Sequence, residues 1–162
     1  MPEPINNMGR DARKTLSKAK LAVERLLKIR LRSEKEIKDK LKQKNFSTDV
    51  IDATIQYFKK LDLVNDRQFA QKWIESRLLK PFGINRIRFE LRTKGVDEVI
   101  IQKQLEDALD DFPEEDVVSS LAQRRATLYK GIDKAKIKQR LYGYLVRKGF
   151  QSTAIFKALK KI

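Results

Sequence analysis

Three fifteen-residue segments of this chain follow one pattern: "LKQKNFSTDVIDATI" at 41–55, "LRTKGVDEVIIQKQL" at 91–105 and "LVRKGFQSTAIFKAL" at 145–159. Each opens with Leu, carries Asn or Gly at its fifth place and an apolar residue at its sixth, and has Ile at the eleventh and Leu or Ile at the fifteenth. The starts at 41, 91 and 145 lie 50 and then 54 residues apart. A segment rewritten at that interval marks a chain built of repeated units. A single unit so short buries little surface, so neighbouring units must pack in series.

The pattern encodes a helix end, a tight turn and the next helix start. Ile37 and Leu41, Ile87 and Leu91, and Ile137, Leu141 and Leu145 recur at helical spacing before the turn. Asn45, Gly95 and Gly149 stand where a helix exit needs the left-handed conformation. Phe46, Val96 and Phe150 follow and can fold back over the helix just ended. Ser47, Asp97 and Ser152 are candidate N-caps for the next helix, which buries Ile51 and Ile55, Ile101 and Leu105, or Ile155 and Leu159.

Another helix precedes each hairpin. The spacing predicts one over about 15–30 with a stripe of Leu16, Ala19, Val23, Leu26 and Leu27, then a Ser33…Glu36 capping box. A second starts near Asn65 or Asp66 and presents Phe69, Trp73 and Leu78. A third opens at Pro113, with Glu114, Glu115 and Asp116 in its first turn, presents Val117, Leu121 and Leu128, and stops at Gly131. No strand pattern occurs. The expected fold is all-α: an elongated tandem array of three three-helix units over 13–64, 65–111 and 112–162, after a disordered tail at 1–12.

Composition narrows the chemistry. Cysteine and histidine are absent, so disulfides, Cys/His zinc sites and His-based triads are excluded. Without a Gly-rich phosphate loop either, no catalytic, metal or cofactor constellation can be assigned, and an enzyme is the weakest reading. No apolar run reaches a membrane span and no signal-peptide core opens the chain, so a cytoplasmic protein is expected. The net charge of +15 is uneven. Residues 1–65 hold 16 basic and 9 acidic side chains, residues 113–162 hold 12 and 4, and 106–116 hold seven acids and no base. Such a surplus points to a polyanionic partner, through phosphate attraction and counterion release. The acidic run from Asp107 to Asp116 has too little fixed geometry for a metal and reads as a solvated linker or an electrostatic counterweight.

The segments "IRLRSEKEIKDKL", "LVNDRQFAQKWIESRLLKPFGINRIRFELRTKGV" and "LVRKGF…IFKAL" resemble the RecX family of bacterial recombination regulators. The middle one is the most specific, with L-x-N-D-x-x-F-A, a later Arg and Gly, and I-x-x-E-L-x-x-K-G. The resemblance runs from about residue 20 to the end. It implies three trihelical units without a catalytic site that bind the RecA recombinase, above all its filament on single-stranded DNA. It further implies that filament growth, strand exchange, ATP hydrolysis and co-protease activity are modulated, mostly downward. Single-stranded DNA would be met weakly or through the filament, by a monomer.

The residues that could carry such a contact are basic. Lys38 and Lys42 in the first unit and Arg88 and Arg92 in the second fall on the same flank of equivalent helices, a turn apart. In the third unit those places hold Tyr142 and Val146, and charge shifts to Arg124, Arg125, Arg147 and Lys148. Arg77, Gly83, Glu90 and Gly95 match the family pattern. Arg86 lies four residues before Glu90 and is its expected partner, while Arg77 joins the candidate surface with it. Trp73 reads as core rather than a base-stacking platform. Phe89 points away from Ile87 and Leu91, and either packs between units or faces a partner. The competing reading is a direct DNA-binding protein of helix-turn-helix-like units. Against it, "DATIQYFKK" and "EVIIQKQLED" differ sharply in charge where base-reading side chains would be expected.

Overall fold

The computed structural model describes residues 9–109, 112–129 and 131–162. The expected N-terminal tail therefore lies, over 1–8, outside the described residues. Nine helices and no strand occur among the rest: α1 Arg10–Leu27, α2 Glu34–Gln43, α3 Thr48–Lys60, α4 Asp66–Leu78, α5 Ile84–Thr93, α6 Glu98–Leu109, α7 Glu114–Ala126, α8 Lys134–Arg147 and α9 Ser152–Lys160. The first starts at Arg10 rather than near Thr15 and ends at Leu27 rather than Arg30. In chain order they form three trihelical repeats, α1–α3, α4–α6 and α7–α9.

The repeated turns are built as the sequence suggests. Asn45 has φ 61°, Gly95 77° and Gly149 87°. The Phe46 N–H donates to the Leu41 carbonyl at 3.2 Å and the Phe150 N–H to the Leu145 carbonyl at 3.3 Å, as in a Schellman ending. Phe150 and Val96 are buried, and Phe46 packs partly on the core. The Ser33–Glu36 capping box is complete, and Asp97 Oδ1 accepts from Val99 N at 2.8 Å. Two expected caps differ. Ser47 sits at the cap without a side-chain bond, and Ser152 is already the first helical residue behind Gln151.

Packing divides the described chain into two compact units that do not follow the repeat borders. The first holds residues up to Phe69 together with Lys94–Val96; the second holds Ala70–Thr93 and Asp97–Ile162. The first has one core of Leu16, Ala19, Val23, Ile37, Leu41, Val50, Ile51, Ile55, Phe58 and Val64. In the second, the α7–α9 core gathers Val118, Leu121, Ala122, Leu141, Leu145, Phe150, Ile155 and Leu159. Leu128, expected on the α7 stripe, is exposed because α7 ends at Ala126 before reaching it. In α4 the buried arc is Phe69, Ala70 and Ile74, with Trp73 only half-buried at its edge.

One joint is used twice. In the first unit Ser33 Oγ, fully buried, donates to the Lys94 carbonyl at 2.6 Å, and Asp66 Oδ1 accepts from Glu34 N at 2.8 Å. In the second, the Gly83 N–H donates to the Lys148 carbonyl at 2.9 Å and the Asn85 N–H to the Gly149 carbonyl at 3.0 Å. Glu114 takes the place of Asp66 there, its carboxylate facing the amides of Ile84 and Gln151. Burial pushes the pKa of both carboxyls up, against the partial relief of those amides. So the starts of α2 and α5 are each capped by the first helix and the second turn of the following repeat, whereas α8 is capped by its own Asp133. The fit at Gly83 leaves no room for a side chain: a Cβ there would lie 2.2 Å from backbone atoms of Gly149 and Phe150.

Candidate functional site

The basic candidates fall into three physical states. Lys42 and Arg124 are exposed and, among the described residues, have no acidic partner; the same holds for Arg147. These three are open to an incoming anion without breaking an internal pair.

A second set is tied to carboxylates. In the first unit Lys38 Nζ stands 3.8 Å from Asp52 Oδ1, a loose exposed pair. In the second, Arg88 Nη1 and Arg92 Nε both reach Glu98 at 2.6 Å, and Arg88 Nη2 donates to Gln102 Oε1 at 2.8 Å. Arg92 and Arg88 hold the Glu98 carboxyl at about 2, below its ordinary 4.5. The flank expected to present two open guanidinium groups is thus a bridge from α5 to α6, with one positive charge left over. Of this, the sequence carried the cross-helix register alone and not the Glu98 carboxylate. Arg88 to Gln102 and Lys38 to Asp52 each span 14 residues, the distance from one helix of the hairpin to the next.

The third set packs on aromatic rings, which the sequence reading missed. Phe82 lies under three cations: Arg86 Cζ at 4.2 Å from its centroid, Lys148 Nζ at 5.0 Å and Arg77 Cζ at 5.8 Å. Tyr144 similarly meets Arg125 at 4.7 Å and Lys148 at 5.8 Å. Arg77 and Arg86 also share Glu90, at 2.6 and 3.1 Å, and the Trp73 indole N–H donates to the same carboxylate at 3.0 Å. Burial would raise the Glu90 pKa, but these donors outweigh it and hold the group below its ordinary value. The expected Arg86–Glu90 pair is present, and Trp73 is a hydrogen-bonded edge residue rather than core. Proximity in sequence signals Arg86, four residues from Glu90; the 17-residue separation of Trp73 hides it.

Phe89 is 68 % exposed. With Asn85, Arg86, Glu90, Val146, Arg147 and Gly149 it lines an open groove of about 390 Å³ inside the second unit. Within the described residues it faces solvent across that groove. Arg147 lies on the opposite wall, so an anion with an apolar or stacking neighbour could meet both.

In the first unit the strongest electrostatic feature is internal. Glu36 receives Arg30 Nη2 at 2.8 Å, Arg30 Nη1 at 3.1 Å and Lys94 Nζ at 2.8 Å. Burial alone would raise its pKa, yet these two cations bring it to about 2. Its part is to hold the joint together. Among the described residues no His, Cys, Asp or Glu cluster is placed to hold a metal, and no helix is long and apolar enough to cross a membrane.

The comparisons with known proteins agree along nearly the whole chain. Family models described as the first, second and third three-helix domains of RecX match residues 19–58, 65–105 and 114–159. A "Regulatory protein RecX" of Clostridium beijerinckii is 30 % identical over 163 residues, covering 99 % of this chain and 75 % of that one. Another, of Chlorobium phaeobacteroides, is 36 % identical over 139 residues, covering 85 % and 89 %. The crystal structure of RecX from Lactobacillus salivarius superimposes with a TM-score of 0.81 at 26 % identity, covering 91 % of this chain and 96 % of that one. Matched by all three domain models in order, the chain belongs to the RecX family of regulatory proteins.

Proposed function

We propose that this protein binds the RecA recombinase, and foremost its filament on single-stranded DNA, and restrains filament growth, ATP hydrolysis, strand exchange and co-protease activity. The observation that carries the reading is membership of the regulatory family across all three repeats. The charge of the chain supports it: a +15 protein is drawn to a nucleoprotein filament rich in phosphate. Within the candidate surface, Lys42, Arg124 and Arg147 make the direct contacts, because meeting a partner anion costs them no internal ion pair. Arg77, Arg86, Arg88 and Arg92 chiefly shape the surface, and Lys38, Arg125 and Lys148 contribute positive potential around it.

The test is the single-stranded-DNA-dependent ATPase of a RecA filament titrated with this protein. The wild type should lower the rate. The triple variant Lys42→Glu, Arg124→Glu, Arg147→Glu should melt like the wild type but need at least about tenfold more protein, as reversing several contacting charges costs over about 1.4 kcal/mol of binding. An unchanged ATPase at saturating wild-type protein would refute the function. A triple variant as potent as wild type would refute the assignment of the contact.

A further inference from the structure

The hairpin face of the third repeat differs in kind from the other two. One cross-helix position of the repeat is Lys38 opposite Asp52, an ion pair at 3.8 Å, and then Arg88 opposite Gln102, a hydrogen bond at 2.8 Å. In the third repeat the same position is Tyr142 opposite Phe156, with ring centroids 5.5 Å apart and planes tilted by 35°. A turn further along, Lys42 and Thr48, then Arg92 and Glu98, give way to Val146 and Ser152. Where two repeats present charge, the third presents apolar surface. Phe156 is 56 % exposed and Val146 45 %. Of these residues Tyr142 and Phe156, together with Leu159, line an open groove of about 520 Å³ between α8 and α9, whose lining also holds Lys138, Gln139 and Lys160.

From this juxtaposition we infer that the α8–α9 groove is a docking site for an acidic peptide segment that anchors one or two apolar side chains on Phe156. The concave apolar floor suits a side-chain anchor, the feature that carries most binding energy at protein interfaces. The lining holds two lysines and no acid, so the flanks of the occupant must be negative. A second copy of the chain is disfavoured, since it would bring its own surplus of positive charge and the same lysines to the contact. A nucleic acid strand is disfavoured too. Base edges need hydrogen-bonding partners, and the neutral ones in this lining are Gln139 and the Tyr142 hydroxyl alone, while Tyr142 and Phe156 already pack against each other with ring centroids 5.5 Å apart.

The probe is a short fluorescein-labelled peptide of Asp and Glu around a central Leu-Phe pair, read by fluorescence anisotropy against the full chain. The labelled peptide should bind, and replacing its Leu-Phe pair with Ala-Ala should weaken it by about tenfold or more. Phe156→Ala should weaken the parent peptide similarly while leaving the circular dichroism melting curve in place, because Phe156 is exposed. Lys138→Glu, Lys160→Glu should weaken it and flatten its salt dependence. No recombinase is present, so the outcome is independent of the filament reading. Absence of binding, or equal affinity for the Ala-Ala peptide, would overturn the inference. So would Phe156→Ala abolishing a concentration-dependent dimer in sedimentation, which would make the face self-associating. Loss of oligo-dT affinity in Phe156→Ala, with peptide affinity unchanged, would assign the groove to nucleic acid instead.

Discussion

Replacing Glu36 with Gln isolates the charge at the joint of the first unit. Gln at this third helical position still accepts the Ser33 backbone N–H, so the capping box survives and only the attraction to Arg30 and Lys94 is lost. The structure sets the scale. A carboxyl group held at about 2 instead of 4.5 contributes up to ~3.4 kcal/mol at neutral pH. The Arg30 side chain is 38 % exposed, so solvent screening reduces this to about 2 kcal/mol. The sign follows from a lowered folded-state pKa: the contribution is complete above 4.5 and is lost as pH falls through about 2. Urea unfolding of wild type and Glu36→Gln, followed by far-UV circular dichroism, gives the comparison. The variant should cost about 2 kcal/mol at pH 7 and less than about 1 kcal/mol at pH 3. A cost that is the same at both pH values would refute the reasoning. So would a loss below about 0.5 kcal/mol at pH 7, which would place the triad among ordinary surface pairs.

Two further perturbations test other parts of the structure. Gly83→Ala forces a Cβ to within 2.2 Å of the Gly149 backbone and should destabilise by about 3 kcal/mol or more, whereas Gly143→Ala, inside α8 and facing only the movable tip of Arg147 at 3.3 Å, should stabilise by about 0.5–1 kcal/mol. Thermal melts of the two variants should move in opposite directions, and a tolerated Gly83→Ala would contradict the described joint. Trp73, the single tryptophan, reports on Glu90: its emission should shift as pH falls, with a midpoint below the ordinary carboxyl value of 4.5, and Glu90→Gln should abolish that transition. A midpoint at or above 4.5 would show that Arg77 and Arg86 do not hold the carboxylate ionised.

What could be read in the sequence was whatever depends on neighbours along the chain. The left-handed turns at Asn45, Gly95 and Gly149, the Ser33 capping box and the Arg86–Glu90 pair are all set within a few residues. Helix stripes were legible only to within one position. Trp73 stands four residues after Phe69 and reads as core, yet the buried arc passes through Ile74, and the indole N–H is drawn outward to Glu90 on another helix. Leu128 continued the α7 spacing on paper, but the helix ends before it. The basic flank at Arg88 and Arg92 was legible as a position and not as a state, since the carboxylate that occupies both guanidinium groups belongs to α6. Gly83 and Glu114 were the hardest. Their meaning lies in contacts with residues 149 and 84, far off in sequence, and no local pattern encodes it.

The doubled joint also bears on how the protein is made. A ribosome delivers α1, α2 and α3 first, but the first unit is not complete when they emerge. Its fully buried Ser33 hydroxyl waits for a carbonyl 61 residues downstream, and Glu36 waits for the second of its two cations at the same place. Synthesis must continue from Phe69 through Val96, about 27 residues more, which takes on the order of 1–5 s at usual elongation rates. During that interval the nascent N-terminal helices hold a core without its last clasp, while the segment that will close it is still passing through the exit tunnel.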